Sequence, residues 1–215
     1  MAISPVDIAN LALDKLGQPS ITSFNNESKA ARLCNRMYPL AKDYVFRMFP
    51  WRRLRTRGLL AASTQTHAWG YQFEFPLPVD LLRLLDVASG QLTSFSGGSN
   101  MMQSGWELEG NSILTNVQGP LQIRYIKNSD DPGEWDRLMI HTIAAYMAKD
   151  MAEALTQDHK KKVFAVSDFA LITEEARHAN AQEGNPVRLN SPDSWETVRW
   201  TGGDVTDNRP ISEPS

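Results

Sequence analysis

Cysteine is nearly absent from this chain: Cys34 stands alone among 215 residues, so no intramolecular disulfide can form and a cytosolic site of folding is expected. Long apolar runs are also missing. No stretch approaches the roughly 18 consecutive apolar residues of a membrane span, and MAISPVDIANLALDKLG lacks the basic start, apolar run and small-residue cleavage site of an export signal, so neither spanning nor export is expected. Positive charge is not in excess either. With a formal net charge of -3, no global field would hold nucleic acid, although a local basic patch could.

The usual signatures of chemistry are lacking as well. There are no paired cysteines, no H-E-x-x-H and no histidines four apart; His67, His141, His159 and His178 are scattered. No G-x-S-x-G elbow, G-x-x-x-x-G-K loop or G-x-G-x-x-G turn occurs. Catalytic residues, a metal site and a cofactor are therefore not expected. A peptidoglycan-hydrolase reading would need a carboxylate pair in a cleft, and pairs such as Glu174 with Glu175 or Asp130 with Asp131 fall at helix starts or on polar faces. Cys34 lies beside Leu33 and Met37, where a buried thiol acts as a small hydrophobe.

What is present is the composition of a globular protein, 41% hydrophobic and 22% charged, long enough for one elaborated domain or two small interleaved ones. Ser4, Pro5 and Asp7 supply an N-cap, a first-turn proline and a capping-box carboxylate. Ile8, Leu11, Ala12 and Leu16 then recur at helical spacing, and Gly17 stops the helix. A second start around Asn26 to Ser28 leads into a wide stripe of Leu33, Met37, Tyr38, Leu40, Ala41, Tyr44, Val45 and Met48. Pro39 predicts a kink or break inside that helix, and Pro50 its end.

From Arg52 to about Lys127 the period changes. RRLRTRGLLAAS, WGYQFEF and LQIRYIKN alternate or carry aromatic and β-branched residues and read as strands, while the Gly/Ser/Asn-rich segment 91–105 reads as an exposed loop. Asp131, Pro132 and Glu134 begin another helix, with Trp135, Leu138, Met139, Ile143, Tyr146, Met147, Met151 and Leu155 on its apolar face. A last helix is predicted from about Asp158 to Glu183, with Val163, Phe164, Val166, Phe169, Ala170 and Ile172 as its apolar face and a polar second half; Gly184 and Pro186 close it. The expected fold is α+β: a helical bundle of N-terminal (1–51) and C-terminal (129–186) helix pairs, an inserted antiparallel β domain (52–128), and an extended tail (187–215).

Two features point to contacts with other molecules. Arg47, Arg52, Arg53, Arg55 and Arg57 cluster around Phe49, Pro50 and Trp51. Arginines alternating along a strand can present one basic row to phosphate or an acidic partner, because guanidinium forks match oxyanions; the competing reading is strand-face arginines paired with local acids around a core tryptophan. From residue 191 onward, Asp193, Glu196, Asp204, Asp207 and Glu213 outnumber Arg199 and Arg209, and Trp195 and Trp200 stand among them. Tryptophans in a polar segment are either interface anchors or fold back on their own chain.

Taken in order, SPVDIANLALDKLG, ITSF, ESKAARLC, Tyr38, FRMFPW, WGYQFEFPLPVDLLRLLDV, ALTQDHKKK and EEARHANAQEG resemble the tail tubular protein A family, the adaptors between portal and tail of short-tailed bacteriophages, over roughly Ile3 to Pro186. The resemblance implies a structural virion protein rather than an enzyme: a helical bundle plus β domain, assembled as a closed dodecameric ring. That ring would sit at the head-tail junction between portal protein and tail nozzle, with DNA passing through its lumen without sequence specificity, after subunits fold in the host cytoplasm. The alternative is a nucleic-acid-binding or DNA-packaging accessory protein. It draws on Arg52, Arg53, Arg55 and Arg57 but lacks a helix-turn-helix, finger or RNP-like motif.

Overall fold

The computed structural model describes residues 3–64, 70–88 and 105–183. The fold is α+β, with four α-helices and six strands in two antiparallel sheets among these residues.

Helix α1 (Pro5–Lys15) begins as its first residues dictate. The Ser4 side chain accepts from the Asp7 N–H while the Asp7 carboxylate accepts from the Ser4 N–H, and Gly17 at φ +64° lets the chain leave the helix. Helix α2 (Lys29–Met48) starts at Ser28, which accepts from the Ala31 N–H. It runs through Pro39 without the break that proline predicted. Pro39 and Asn35, whose carbonyl loses its donor, both lie on the exposed side, where solvent can reach the freed carbonyl. The apolar stripe is also rotated from expectation: Ala31, Cys34, Ala41, Val45 and Phe46 are buried, whereas Leu40 and Tyr44 face outward.

Asp131 does cap a turn, but it is a short 3-10 turn over Pro132–Glu134. Helix α3 (Arg137–Thr156) starts only after a second cap, Asp136. Ten of its residues are buried, among them Met139, Ile143, Met147 and Met151, with alanines at 144, 145, 148 and 152 that let neighbours approach. A helix buried nearly all round must be central, and α1 and α2 both pack against it. Gln157 in the left-handed conformation reverses the chain into helix α4 (His159–Gln182), capped by Asp158 and packed back on α3. Its boundaries match the sequence expectation. Its apolar face does not: α4 buries Ala165 and Ala176, whereas Val163, Phe164, Val166 and Leu171 are exposed.

The strands are β1 (Arg55–Leu60), β2 (Phe73–Pro76), β3 (Leu81–Ala88), β4 (Trp106–Glu109), β5 (Ser112–Thr115) and β6 (Leu121–Lys127). They form two sheets in the orders β1-β6-β3 and β2-β5-β4. Arg52–Leu54, read from sequence as strand, is a 3-10 turn instead. The sheets share a core of Leu60, Phe75, Leu77, Ile113, Leu121, Ile123 and Tyr125. Close packing there explains Gly119, where a Cβ would sit 3.0 Å from the Phe75 ring. The opposite face of the first sheet divides along its length. At one end Ile126 and Leu54, with Leu82 and Leu85 against them, join the core formed by the helices; further out the face is open.

Candidate functional site

The open part of that sheet face carries the arginines. Leading into it, Trp51 is buried to 1% exposure, its indole N–H donates to the Val45 carbonyl at 2.7 Å, and its ring meets Phe49 edge-on. Trp51 is thus core, as the competing reading held. Arg52 is a fastening: its backbone N–H donates to Asn180 Oδ1 and its Nε to the Asn180 carbonyl, both at 3.0 Å. A cation on the last carbonyls of α4 also suits the negative end of that helix. Arg47 and Arg83 tie α2 to β3 through each other's neighbourhood, Arg47 donating to the Leu82 carbonyl and Arg83 to the Arg47 carbonyl. Arg53 is exposed.

Arg55 and Arg57 are two apart on β1 and so point to one face. Register places Arg57 opposite Arg124 of β6, and Arg124 opposite Asp86 of β3, with an Arg124–Asp86 ion pair of 2.6 Å. Two guanidiniums directly across a strand pair repel. Arg55 is partly buried, its Nε lies out of solvent without an acceptor, and burial, then Arg52 and Arg124, pull its pKa below the ordinary arginine value. It remains charged at neutral pH. Among the described residues Arg124 pairs with Asp86, and both, with Arg57, Leu59 and Gln122, line a shallow recess of about 400 Å³, Arg55 standing two residues before Arg57 on the same strand. Guanidinium forks around a recess can take an oxyanion bidentately, whether phosphate or carboxylate.

Of the residues singled out from sequence, Arg55 and Arg57 belong to this face, Arg53 is exposed beside it, and Arg52 serves the fold. Trp195, Trp200 and nearly all of the 91–105 loop lie outside the described residues. Arg124 and Asp86 escaped notice because only strand register brings them to Arg57. The signal for Arg124 was its place between Ile123 and Tyr125, where alternation forces it outward.

Among the described residues no group of three or more His, Cys, Asp or Glu is arranged to hold a metal ion. Cys34 is fully buried 3.8 Å from Met151 Sδ, and burial pushes its thiol up to about 11, away from the thiolate a nucleophile needs. Compared with known proteins, the chain matches no family model and no curated sequence.

Proposed function

We propose that this chain is a subunit of the ring-shaped head-to-tail adaptor of a short-tailed bacteriophage, a structural virion protein and not an enzyme. Support comes from the ordered motifs between Ile3 and Pro186, and from an α+β fold in which residues before and after the strands contribute to one buried cluster, as a helical bundle with a β insertion would require. The observation that carries the reading is the Arg55, Arg57 and Arg124 face, where among the described residues the ion pair is that of Arg124 with Asp86. In an adaptor that face meets either the acidic surface of the portal or nozzle, or DNA moving through the lumen, where contact with the backbone needs no base readout.

Electron microscopy of the protein mixed with its portal, with mass measurement on the free protein, tests the proposal. A closed ring at the junction of head and tail is the expected outcome; a protein that joins neither ring nor particle defeats it. Arg57→Glu combined with Arg124→Glu should reduce assembly or DNA retention. The arginine face also favours a second reading, a nucleic-acid-binding accessory. That role requires the isolated chain to bind duplex DNA with a steep salt dependence whose slope falls by about 1 for each arginine removed.

A further inference from the structure

The sheet β1-β6-β3 has two outer strands, and they are finished differently. Strand β3 is broken by register shifts between Leu81 and Arg83 and between Leu84 and Asp86, and the Arg47 guanidinium occupies the Leu82 carbonyl. Both features interrupt the row of backbone groups that a further strand would need. Strand β1 has neither. It pairs with β6 residue for residue from Arg55 to Leu60, and among the described residues no hydrogen bond reaches the backbone of residues 56–60 from outside that ladder. Every second residue of an outer strand turns its N–H and C=O away from the neighbouring strand, so β1 presents a regular template of donors and acceptors.

The side chains beside this edge decide what it admits. Arg57 and Leu59 alternate on the open face, with Arg124 across from Arg57 and Gln122 across from Leu59, and Leu59 is 64% exposed. A second copy pairing edge to edge would bring two arginine rows together, like charge against like charge. Nucleic acid fits no better. A phosphodiester carries acceptors only and leaves the edge carbonyls unanswered, Asp86 in the recess repels it, and its backbone has nothing apolar to lay on Leu59. A polypeptide strand answers all three demands. Its own N–H and C=O groups extend the ladder, a carboxylate reaches the forks of Arg57 and Arg124, and an apolar side chain two positions on covers Leu59.

We propose that β1 is a docking edge for an extended acidic segment of a neighbouring protein, added to the sheet as a strand with carboxylate and aliphatic side chains two apart on the face of Arg57 and Leu59. Main-chain pairing supplies the hold and the guanidinium forks supply the selection. This docking deepens the adaptor reading and rests on it for the identity of the neighbour as portal or nozzle, whereas the edge itself can be tested apart from any ring.

Fluorescence anisotropy of the full chain with labelled synthetic peptides tests the edge. The probe is a peptide of about eight residues alternating glutamate and valine, enough to cover a strand of ordinary length. It should bind saturably, and a peptide of the same composition with its glutamates and valines segregated, or one alternating lysine and valine, should bind at least tenfold more weakly. N-methylation of every second amide should abolish binding in one frame and spare it in the other, because only one set of amides meets the edge. Arg57→Glu should raise the dissociation constant tenfold or more and Leu59→Asn several-fold, with unchanged circular dichroism spectra because both side chains are exposed. Absence of saturable binding, or indifference to the N-methyl frame, would overturn the proposal. So would tighter binding of a single-stranded oligothymidylate of equal charge, which gives the face to nucleic acid. Peptide binding that appears only when Asp193→Asn, Glu196→Gln, Asp204→Asn, Asp207→Asn and Glu213→Gln are combined would also overturn it, giving the edge to the chain's own acidic residues. Rings without peptide binding defeat the docking edge and leave the adaptor standing; peptide binding without rings supports the edge and removes the adaptor.

Discussion

Helices α3 and α4 form an antiparallel pair of similar length and end in opposite situations. In α3 Met139, Ile143, Met147 and Met151 of the apolar residues read from sequence are buried, Leu138, Tyr146 and Leu155 are half-buried, and alanines fill the remaining sides; in α4 Val163, Phe164 and Val166, read as the same kind of face, point to solvent. Periodicity identifies a helix and a coherent apolar line. It does not say whether that line meets its own chain or another, because burial depends on which elements arrive at each face.

Core truncation should separate the two helices most sharply. Ile143→Ala in α3 opens a cavity among fully buried neighbours and should cost about 2 to 5 kcal/mol in urea denaturation. Phe164→Ala in α4 should shift monomer stability by no more than about 0.5 kcal/mol, since the ring is already in water. Equal losses at the two positions would abolish the distinction. Next in size is Trp51→Phe, which leaves the Val45 carbonyl without its donor in a dry core and should cost about 1 to 3 kcal/mol by the same measurement.

The arginine strand sharpens the contrast at smaller scale. Arg52→Ala removes the bond to the Asn180 carbonyl and should lower stability by about 1 kcal/mol. Arg57→Ala relieves repulsion from Arg124 and should be neutral or stabilising by a few tenths of a kcal/mol, while weakening anion binding measured by calorimetry. The least effect is expected from pH. Glu134, hydrogen-bonded by Lys127 and Ser129, and Glu153, by Lys162, have pKa values below the ordinary 4.5. Their contributions are complete above the ordinary value and vanish as pH falls through the depressed ones. Melting temperature should therefore drop on acidification below about pH 4.5, less steeply in Glu134→Gln.

Local chemistry made part of the fold legible. Ser4 with Asp7, Ser28 and Asp158 announce helix starts through side chains that satisfy orphan N–H groups three or fewer residues away, so sequence suffices. Strands β4 and β5 are four residues each, too short for alternation to register, and the leucine-rich β3 has a single β-branched residue, Val87, to mark it as a strand. At the candidate site the alternation of Arg55 and Arg57 was readable, whereas the opposition of Arg57 to Arg124 depends on a partner strand 67 positions away, supplied by topology alone. The exposure of Pro39 likewise became apparent only once α2 had a buried side.

Lys15 of α1 meets Asp168 of α4 at a sequence separation of 153, and Arg52 meets Asn180 at one of 128. During synthesis the first two helices therefore leave the ribosome long before the helix that shelters them exists. Until α3 emerges, Ile8, Leu13, Val45 and Phe46 have no core to enter, and only the intervening sheets can close. Birth order thus leaves the final collapse of this core to the arrival of residues 137–156.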